Sequence, residues 1–521
     1  MNEKSFARRT DRFWYVVFGI VALLLFVAFL PIAILSTYNF INADDVGLYL
    51  LARDRGWLAT TAWFVEYSMV RPTFIGLYSG LAELTYRLGI SPLGWQRLSV
   101  AVDYILMISA LTWLVKVLIP RIPVTLSLAL ALLAITGTFV SSQSGGWPVA
   151  SNLLLVWVVA NYAPAFAFYC ATLAAFAQLV SARSRQGLWA VLFVILFALY
   201  AGAHEVNVVG GVVLLTMAFA SQVPVVRVEG ARLLRWRWRI GGVHRFVLWA
   251  VVVSLAIALL LTYLHLNLPS FDNRASYTNK VPFAVAAEKA LVDLVSTVPR
   301  IYFAENYFLL MVFIASLLTV RRYGLNPYFS GWRAVYLLLP VGVFVIVVMS
   351  TFAGSYIQTN ILQPRLLNYG GLHLTVAVIA IACLLMRVRF VRERRLIASR
   401  VLITAVFAVA FGTLANHKIY GEMVETTTGV GYKFARSLDR REDLLYLGQG
   451  EIVRFPVFHL LGSYPGGTPI PWAPLIGMPP TGPAIEDYKS RVSKIYGVKG
   501  VEIVECEKSA HLSECFYVEV P

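Results

Sequence analysis

Two adjacent carboxylates, Asp44 and Asp45, are the residues of this sequence best suited to acid–base chemistry. They belong to the element Asn42-Ala43-Asp44-Asp45, which comes soon after the first long apolar run. Neighbouring aspartates repel one another, and such a pair suits either a general base or a metal ligand. A structural role stays open as well, because Asp44 also fits the N-cap of a helix that begins at Asp45.

His204 and Glu205 form a second polar pair, in a very short connection between two apolar runs. With so little chain around them, both side chains are confined to the ends of the flanking segments. Glu205 is a candidate for a second acid, a metal ligand or a group that accepts sugar hydroxyls, and a solvated turn is the alternative. His204 is expected to be its hydrogen-bonded neighbour within the same sugar- or acceptor-binding region.

Three arginines, Arg71, Arg274 and Arg365, are candidates for binding a phosphate group. The planar guanidinium forms paired hydrogen bonds with phosphate oxygens, which a point charge does not. For any one of them, a salt bridge or a lipid headgroup contact explains the charge about as well. The neighbouring segments supply amide and phenol groups that complete the same polar region: Asn161, Tyr162, Tyr277 and Tyr369.

The composition indicates what kind of scaffold must position these residues. The chain has 521 residues, of which 59% are hydrophobic and 14% charged, so it has too little polar surface for a soluble globule of this size. Long apolar runs are typical of membrane-spanning helices, whereas the strands of a porin-type barrel would alternate apolar and polar residues. The net charge of +16 arises from short arginine clusters between these runs, so no nucleic-acid partner is needed to explain it.

The positions of the basic clusters predict a topology with a cytoplasmic amino terminus and about 11 to 13 spans. The first run follows four basic residues and lacks a cleavage site, so we expect a retained helix. On this count Lys116 and Arg121 fall on the outer side, against the positive-inside bias. The segment Asn161 to Pro164 is expected to break the chain between two spans. The predicted spans are 13–36, 72–90, 98–117, 124–140, 147–160, 162–182, 188–202, 206–220, 246–266, 302–320, 334–351, 372–386 and 401–414.

Two domains are predicted. Residues 1–415 form an all-α transmembrane domain, whose first outer loop, 39–71, contains helices that lie in the membrane interface. Residues 416–521 form a small extracytoplasmic α/β or β-rich domain, because they are rich in turn residues and contain short alternating stretches. In this domain Cys506 and Cys515 are predicted to form a disulfide.

Within the transmembrane domain, Asp103 is expected to pair with Arg97 or another basic group, with a proton path as the alternative.

The order of these features resembles the GT-C superfamily of glycosyltransferases, which use polyprenyl-phosphate sugars. The resemblance lies in an amino-terminal helix, an Asp-Asp pair at the start of the first outer loop, interfacial helices, many spans and a soluble outer tail. Within the superfamily, the proportions and the Asn42-to-Asp45 element look most like bacterial serotype-converting O-antigen glucosyltransferases and related cell-envelope transferases. The Trp-Trp-Asp-type element of oligosaccharyltransferases does not occur in the sequence.

This resemblance implies a specific reaction at the outer face of the bacterial inner membrane. An inverting transferase of this kind would move one sugar from an undecaprenyl- or decaprenyl-phosphate carrier to a hydroxyl of an envelope glycan. Asp44 or Asp45 would be the general base, and outer arginines would stabilise the leaving phosphate. No obligatory metal is expected, although Asp44 with Glu205 holding a divalent cation stays open as an alternative.

Two other functions fit the sequence in part. A polymerase or ligase of lipid-linked glycans would rely on the outer arginines rather than on the aspartates. A transporter or flippase would need charges deep in the membrane, and only Asp103 lies in such a position. The folded outer tail also argues against a transporter, because such a domain adds little to transport but can bind an acceptor glycan, so the transferase is the favoured prediction.

Overall fold

The structure is a computed structural model that describes these residues: 43–141, 156–181, 185–220, 225–226, 235–236, 245–269, 282–292, 295–296, 308–325, 364–386, 443, 445–457, 489–490 and 493–505. This part of the chain is mostly helical, as predicted. The predicted spans 13–36, 334–351 and 401–414, and the predicted disulfide between Cys506 and Cys515, lie outside the described residues. The helices are α1 (Ala43–Arg55), α2 (Trp57–Tyr67), α3 (Pro72–Arg87), α4 (Pro92–Leu118), α5 (Val124–Ser141), α6 (Val156–Ser181), α7 (Gln186–Ala201), α8 (Glu205–Ala220), α9 (Arg245–Asn267), α10 (Phe283–Val292), α11 (Phe308–Tyr323) and α12 (Pro364–Leu385).

Helices α1, α2 and α3 pack on one another, and we call them the cap. Gly56 separates α1 from α2 with a φ of 80°, a left-handed conformation that favours glycine. Glu83 closes the other side of this turn, because its carboxylate accepts a hydrogen bond of 2.6 Å from the backbone N–H of Trp57. Arg87 pairs with Glu83 one turn later. The first exposed N–H of α2 is thereby satisfied by α3.

Contacts of Trp95 join the cap to the long helix α4. The indole Nε1 of Trp95 donates a 3.3 Å hydrogen bond to the backbone oxygen of Tyr78 in α3. The ring of Tyr49 in α1 lies 5.6 Å from the ring of Trp95. Ser91 caps α4 by accepting a 3.1 Å hydrogen bond from Gly94 N–H. The start of α4 therefore lies against the cap.

The opposite end of α4 lies near the start of α7. Trp113 and Trp189 are in contact there, with ring centroids 6.3 Å apart. At the other end of α7, the N–H of Thr73 in the cap donates a 3.1 Å hydrogen bond to Gly202 O. The cap thus covers one end of the helix bundle, and the last turn of α4, with Lys116, lies at the end where α7 begins with its N-cap residue Arg185. The sequence prediction had put Lys116 on the outer side, opposite Arg185.

Helix α3 is shorter than its predicted span. The sequence predicted a span at 72–90, but α3 has 16 residues, fewer than the roughly 20 that a membrane span needs. In its last turns, Glu83 accepts the hydrogen bond from Trp57 of α2 and pairs with Arg87.

Membrane-spanning character follows from the length and composition of the helices. Among the described residues, three helices are long and apolar enough to cross a membrane: Pro92–Leu118, Tyr162–Val180 and Arg245–Asn267. Shorter apolar helices accompany them at Val124–Ile135, Gln186–Ala201, Asn207–Thr216 and Gly370–Leu385. Helix α9 buries Ala250, Ser254 and Ala258, which recur at every fourth position and face its neighbours.

Helix α6 differs from its prediction, because it is not interrupted. The sequence suggested a break at Asn161 to Pro164, between two spans. The structure instead has one continuous helix through Pro164, which is its ninth residue. A proline removes one backbone donor, but this loss does not end α6, which packs along α4 and α7.

The carboxyl-terminal part contains two strands, β3 (Ile452–Val457) and β4 (Gly500–Glu505), which pair in parallel. The register runs from Ile452 opposite Gly500 to Val457 opposite Glu505. Two short strands earlier in the chain, β1 (Val225–Val226) and β2 (Arg235–Trp236), pair antiparallel. The wider α/β or β-rich domain expected for 416–521 stays a prediction.

Gly202 offers a test of how closely the cap approaches the bundle. A Cβ at Gly202 would lie 2.7 Å from Thr73 Oγ1 and 3.3 Å from Pro72 Cγ. We expect Gly202→Ala to destabilise the protein by about 1–3 kcal/mol through overpacking, as measured by thermal unfolding in detergent. Adding Thr73→Ala should recover part of the loss.

Gly80→Ala is the matched control for this substitution. Gly80 lies within α3, and a Cβ there has no neighbour within 4 Å. An alanine at this position should be neutral or stabilising, because it favours the helix. Equal effects at Gly80 and Gly202 would show that the close approach at Gly202 is unimportant.

Candidate functional site

The acidic pair lies in the first turn of α1, whose backbone is helical from Ala43. The structure describes the backbone of Asp44 and Asp45 and not their side chains. The later residues of α1 fix the position of the helix, because Leu48, Tyr49 and Ala52 are buried. Since α1 contacts α3, α4 and α6, the acidic pair belongs to the cap.

Arg71, Tyr162 and His204 are the predicted site residues whose side chains are described. The ring of Tyr162, in α6, lies 5.3 Å from the ring of His204. Arg71 immediately precedes α3, and the hydrogen bond from Thr73 N–H to Gly202 O holds this start against the turn that contains His204. Arg71 and His204 are only 8% and 7% exposed. The structure therefore brings these three residues to the capped end of the bundle, as we name the end covered by α1–α3.

The turn between α7 and α8 is held by its own hydrogen bonds. Asn207 Nδ2 donates a 2.9 Å bond to Tyr200 O, and the N–H of Asn207 donates a 2.9 Å bond to His204 O. Asn207 is fully buried. These two hydrogen bonds hold the turn in the conformation in which the ring of His204 contacts Tyr162. Glu205 begins α8 beside it, and its side chain is not described.

The remaining predicted site residues divide into two groups. Asn161, Arg365 and Tyr369 lie in helices whose backbone is described at those positions, α6 for the first and α12 for the other two. Their side chains are not described. Arg274 and Tyr277 lie outside the described residues, so their predicted roles stay predictions.

A buried group of aromatic rings around His373 was missed by sequence reasoning. His373, in α12, lies 4.6 Å from Tyr169 and 5.7 Å from Phe166, both in α6. Tyr169 in turn lies 5.5 Å from Tyr200, the residue whose carbonyl binds Asn207. The signal in the sequence was a histidine between two leucines in a predicted span. Tyr200 links this group to the capped end, because its ring contacts Tyr169 and its carbonyl accepts the hydrogen bond from Asn207.

Asp103 has a different partner from the one predicted. The hydroxyl of Tyr78, in α3, donates a hydrogen bond to Asp103 Oδ1, and no ion pair to Asp103 occurs in the described part of the chain. Both residues are fully buried, and Asp103 Oδ2 has no hydrogen-bond partner among the described residues. Because α4 begins at Pro92 rather than at the predicted residue 98, Asp103 is its twelfth residue. The expected pairing with Arg97 or another basic group was wrong.

No group of three histidine, cysteine, aspartate or glutamate side chains that could hold a metal ion occurs among the residues searched. Asp44, Asp45 and Glu205 are not among the described side chains, so a divalent cation there stays an open alternative. In comparisons with known proteins, no family model and no curated protein matches the chain. The GT-C resemblance therefore rests on the order of features in the sequence alone.

Proposed function

We propose that the protein is an inverting glycosyltransferase of the GT-C type. It would transfer a sugar from a polyprenyl-phosphate carrier to a hydroxyl of a cell-envelope glycan at the outer face of the bacterial inner membrane. The supporting observation is that the helix bearing Asp44 and Asp45, Arg71, and the contacting rings of Tyr162 and His204 lie at the same end of the bundle. A base and a phosphate-binding arginine on one side of a membrane are what this reaction needs.

We assign the capped end to the outer face, although the cap itself carries Arg53, Arg55, Arg71 and Arg87. Arg185 lies at the opposite end of α7, and the last turn of α4, with Lys116, lies at that same opposite end. Arg121 follows α4 within three residues. Cytoplasmic loops are enriched in lysine and arginine, so this opposite end is the cytoplasmic one in our proposal.

In the proposed reaction Asp44 or Asp45 accepts the proton of the acceptor hydroxyl. The acceptor oxygen then attacks the anomeric carbon, and the bond from that carbon to the carrier phosphate breaks on the opposite face of the sugar. Arg71 stabilises the negative charge of the leaving phosphate. Tyr162 and His204, which are in contact with each other, would bind the sugar or the acceptor. Arg274 and Arg365 are further phosphate ligands in this proposal, and Asn161, Glu205, Tyr277 and Tyr369 are further sugar or acceptor contacts.

Arg71→Ala is expected to raise the KM for the lipid donor about 10- to 100-fold, because a charge-assisted bond to phosphate is lost. Kinetics at varied donor concentration would measure this change. Arg87→Ala is the matched control, since Arg87 lies in the same cap but is mostly exposed. An unchanged KM for the lipid donor in Arg71→Ala would show that Arg71 does not bind the donor.

The proposal is tested with membranes that contain the full chain, a panel of radiolabelled polyprenyl-phosphate sugars and an envelope-glycan acceptor. We expect label to pass to the acceptor from one donor. Membranes with the double substitution Asp44→Asn and Asp45→Asn are the control, and they should transfer no label. If no donor supports transfer by the wild type, the glycosyltransferase proposal fails.

A proton-coupled transporter is the second candidate, and one observation favours it. Asp103 is a buried carboxyl group in a long apolar helix, and its described partner is a phenol rather than a cation. Carboxyl groups in such positions commonly belong to proton pathways. Solute uptake by proteoliposomes that depends on a proton gradient, and that is lost in Asp103→Asn, would favour this candidate over the transferase.

A further inference from the structure

Arg53 connects α1 to the carboxyl-terminal part of the chain. Its Nη1 donates a 3.1 Å hydrogen bond to Ile495 O, 442 residues further along the sequence. Its Nε donates to Asp54 Oδ1 at 2.7 Å, which orients the guanidinium. The side chain of Arg53 is only 21% exposed. A charged donor that is both oriented and largely shielded from water makes a stronger bond than a mobile surface arginine.

The carbonyl that Arg53 binds lies in a helical turn, 493–496, just before β4. Carbonyls in the last turn of a helix have no helical partner, and basic side chains commonly bind them. The turn is fixed to the strand pair, because Val498 N–H donates to Ser493 O and Lys499 N–H donates to Glu451 O. Ile495 also packs its side chain against the hydrophobic core. Movement of this turn would therefore move β3 and β4 with it.

The other side of α1 is held by the bundle. Leu48 and Ala52 are buried, and Tyr49 contacts Trp95 of α4. Helix α1 thus lies between the bundle and the carboxyl-terminal turn. The acidic pair is about nine residues, or roughly 13 Å, from Arg53 along the same rigid helix.

We propose that the carboxyl-terminal strand pair clamps α1 through Arg53, and that Arg53 is a positioning residue for Asp44 and Asp45. The role as a positioning residue rests on the proposed glycosyltransferase function, whereas the clamp itself does not. Arg53 touches no reacting atom in this scheme. It acts by fixing the helix whose first turn carries the base.

Hydrogen exchange of the full chain in lipid nanodiscs tests the clamp. In Arg53→Ala we expect faster amide exchange both in α1 and at 493–505, by about tenfold for the loss of one charge-assisted bond. Arg53→Lys retains a charged donor and should protect both segments in part. Arg55→Ala is the matched control, because Arg55 is exposed on the same helix. Unchanged exchange at 493–505 in Arg53→Ala would overturn the clamp.

Steady-state kinetics test the positioning role separately. We expect Arg53→Ala to lower kcat for sugar transfer about tenfold, to leave the KM for the lipid donor unchanged, and to be partly rescued by Arg53→Lys. An unchanged kcat together with faster exchange would retain the clamp and overturn the positioning role. If the wild type transfers no sugar from any donor, the proposed function fails, and the exchange experiment still decides whether the clamp exists.

Discussion

Replacing the proposed catalytic aspartate by asparagine should reduce sugar transfer about 10²- to 10⁴-fold, the usual contribution of a general base. We expect this loss in either Asp44→Asn or Asp45→Asn, with the other variant affected less. Asparagine has nearly the same shape but does not accept the proton of the acceptor hydroxyl. Donor binding should persist, because the phosphate contacts in the proposal are arginines. Initial rates of label transfer at saturating donor and acceptor measure the effect.

Glu66→Gln is the matched control for the aspartate variants. Glu66 is an exposed carboxylate of the same cap, in α2, and its loss should leave the rate unchanged. Protein amount and thermal stability are compared in parallel so that misfolding is recognised. Full activity in both aspartate variants would contradict the proposed base, and the arginine-centred polymerase or ligase would become the better explanation.

Tyr78→Phe should produce the largest loss of stability among the cap substitutions. The change removes the one described donor to Asp103 and leaves a buried carboxyl group without a partner. An unsatisfied buried polar group costs about 1–3 kcal/mol, and a charged group costs more. Thermal or denaturant unfolding in detergent measures the change. Tyr86→Phe, on the exposed side of α3, is the matched control and should have no effect.

A double substitution separates the hydrogen bond from the packing at this position. Asp103→Leu with Tyr78→Phe replaces both polar partners by apolar groups, which is often nearly neutral. We therefore expect the double variant to be more stable than Tyr78→Phe alone. If the two single effects simply add, Tyr78 and Asp103 do not act as a pair.

The helices could be predicted from sequence because apolar runs of about 20 residues are a strong signal. Helix α9 (Arg245–Asn267) begins and ends within one residue of its predicted range, 246–266. Helix α3 was predicted as a span because its apolar content outweighed Glu83 and Arg87. In the structure α3 is bonded to α2 through the hydrogen bond from Trp57 N–H to Glu83. A hydropathy profile does not report such a tertiary contact.

Arg71, Tyr162 and His204 were each identified by their type and by their position near the ends of apolar runs. The structure places Tyr162 in contact with His204 and has all three at the capped end, and their roles in a site stay predictions. The contribution of His373 was not predictable, because its neighbours in space come from a helix some two hundred residues earlier. The partner of Asp103 was missed because Tyr78 was taken to belong to a separate span.

The hydrogen bonds of the cap have a consequence for the order in which the chain assembles during membrane insertion. The bond from Trp57 N–H to Glu83 and the bond between the hydroxyls of Thr61 and Ser79 join residues at most 26 positions apart. Such local contacts form quickly, so α2 and α3 can pair as soon as both helices have been synthesised. The bond from Arg53 to Ile495 spans 442 residues and can form only when synthesis is nearly complete. The cap therefore begins to fold among the first parts of the protein, and its attachment to the carboxyl-terminal strands is among the last steps.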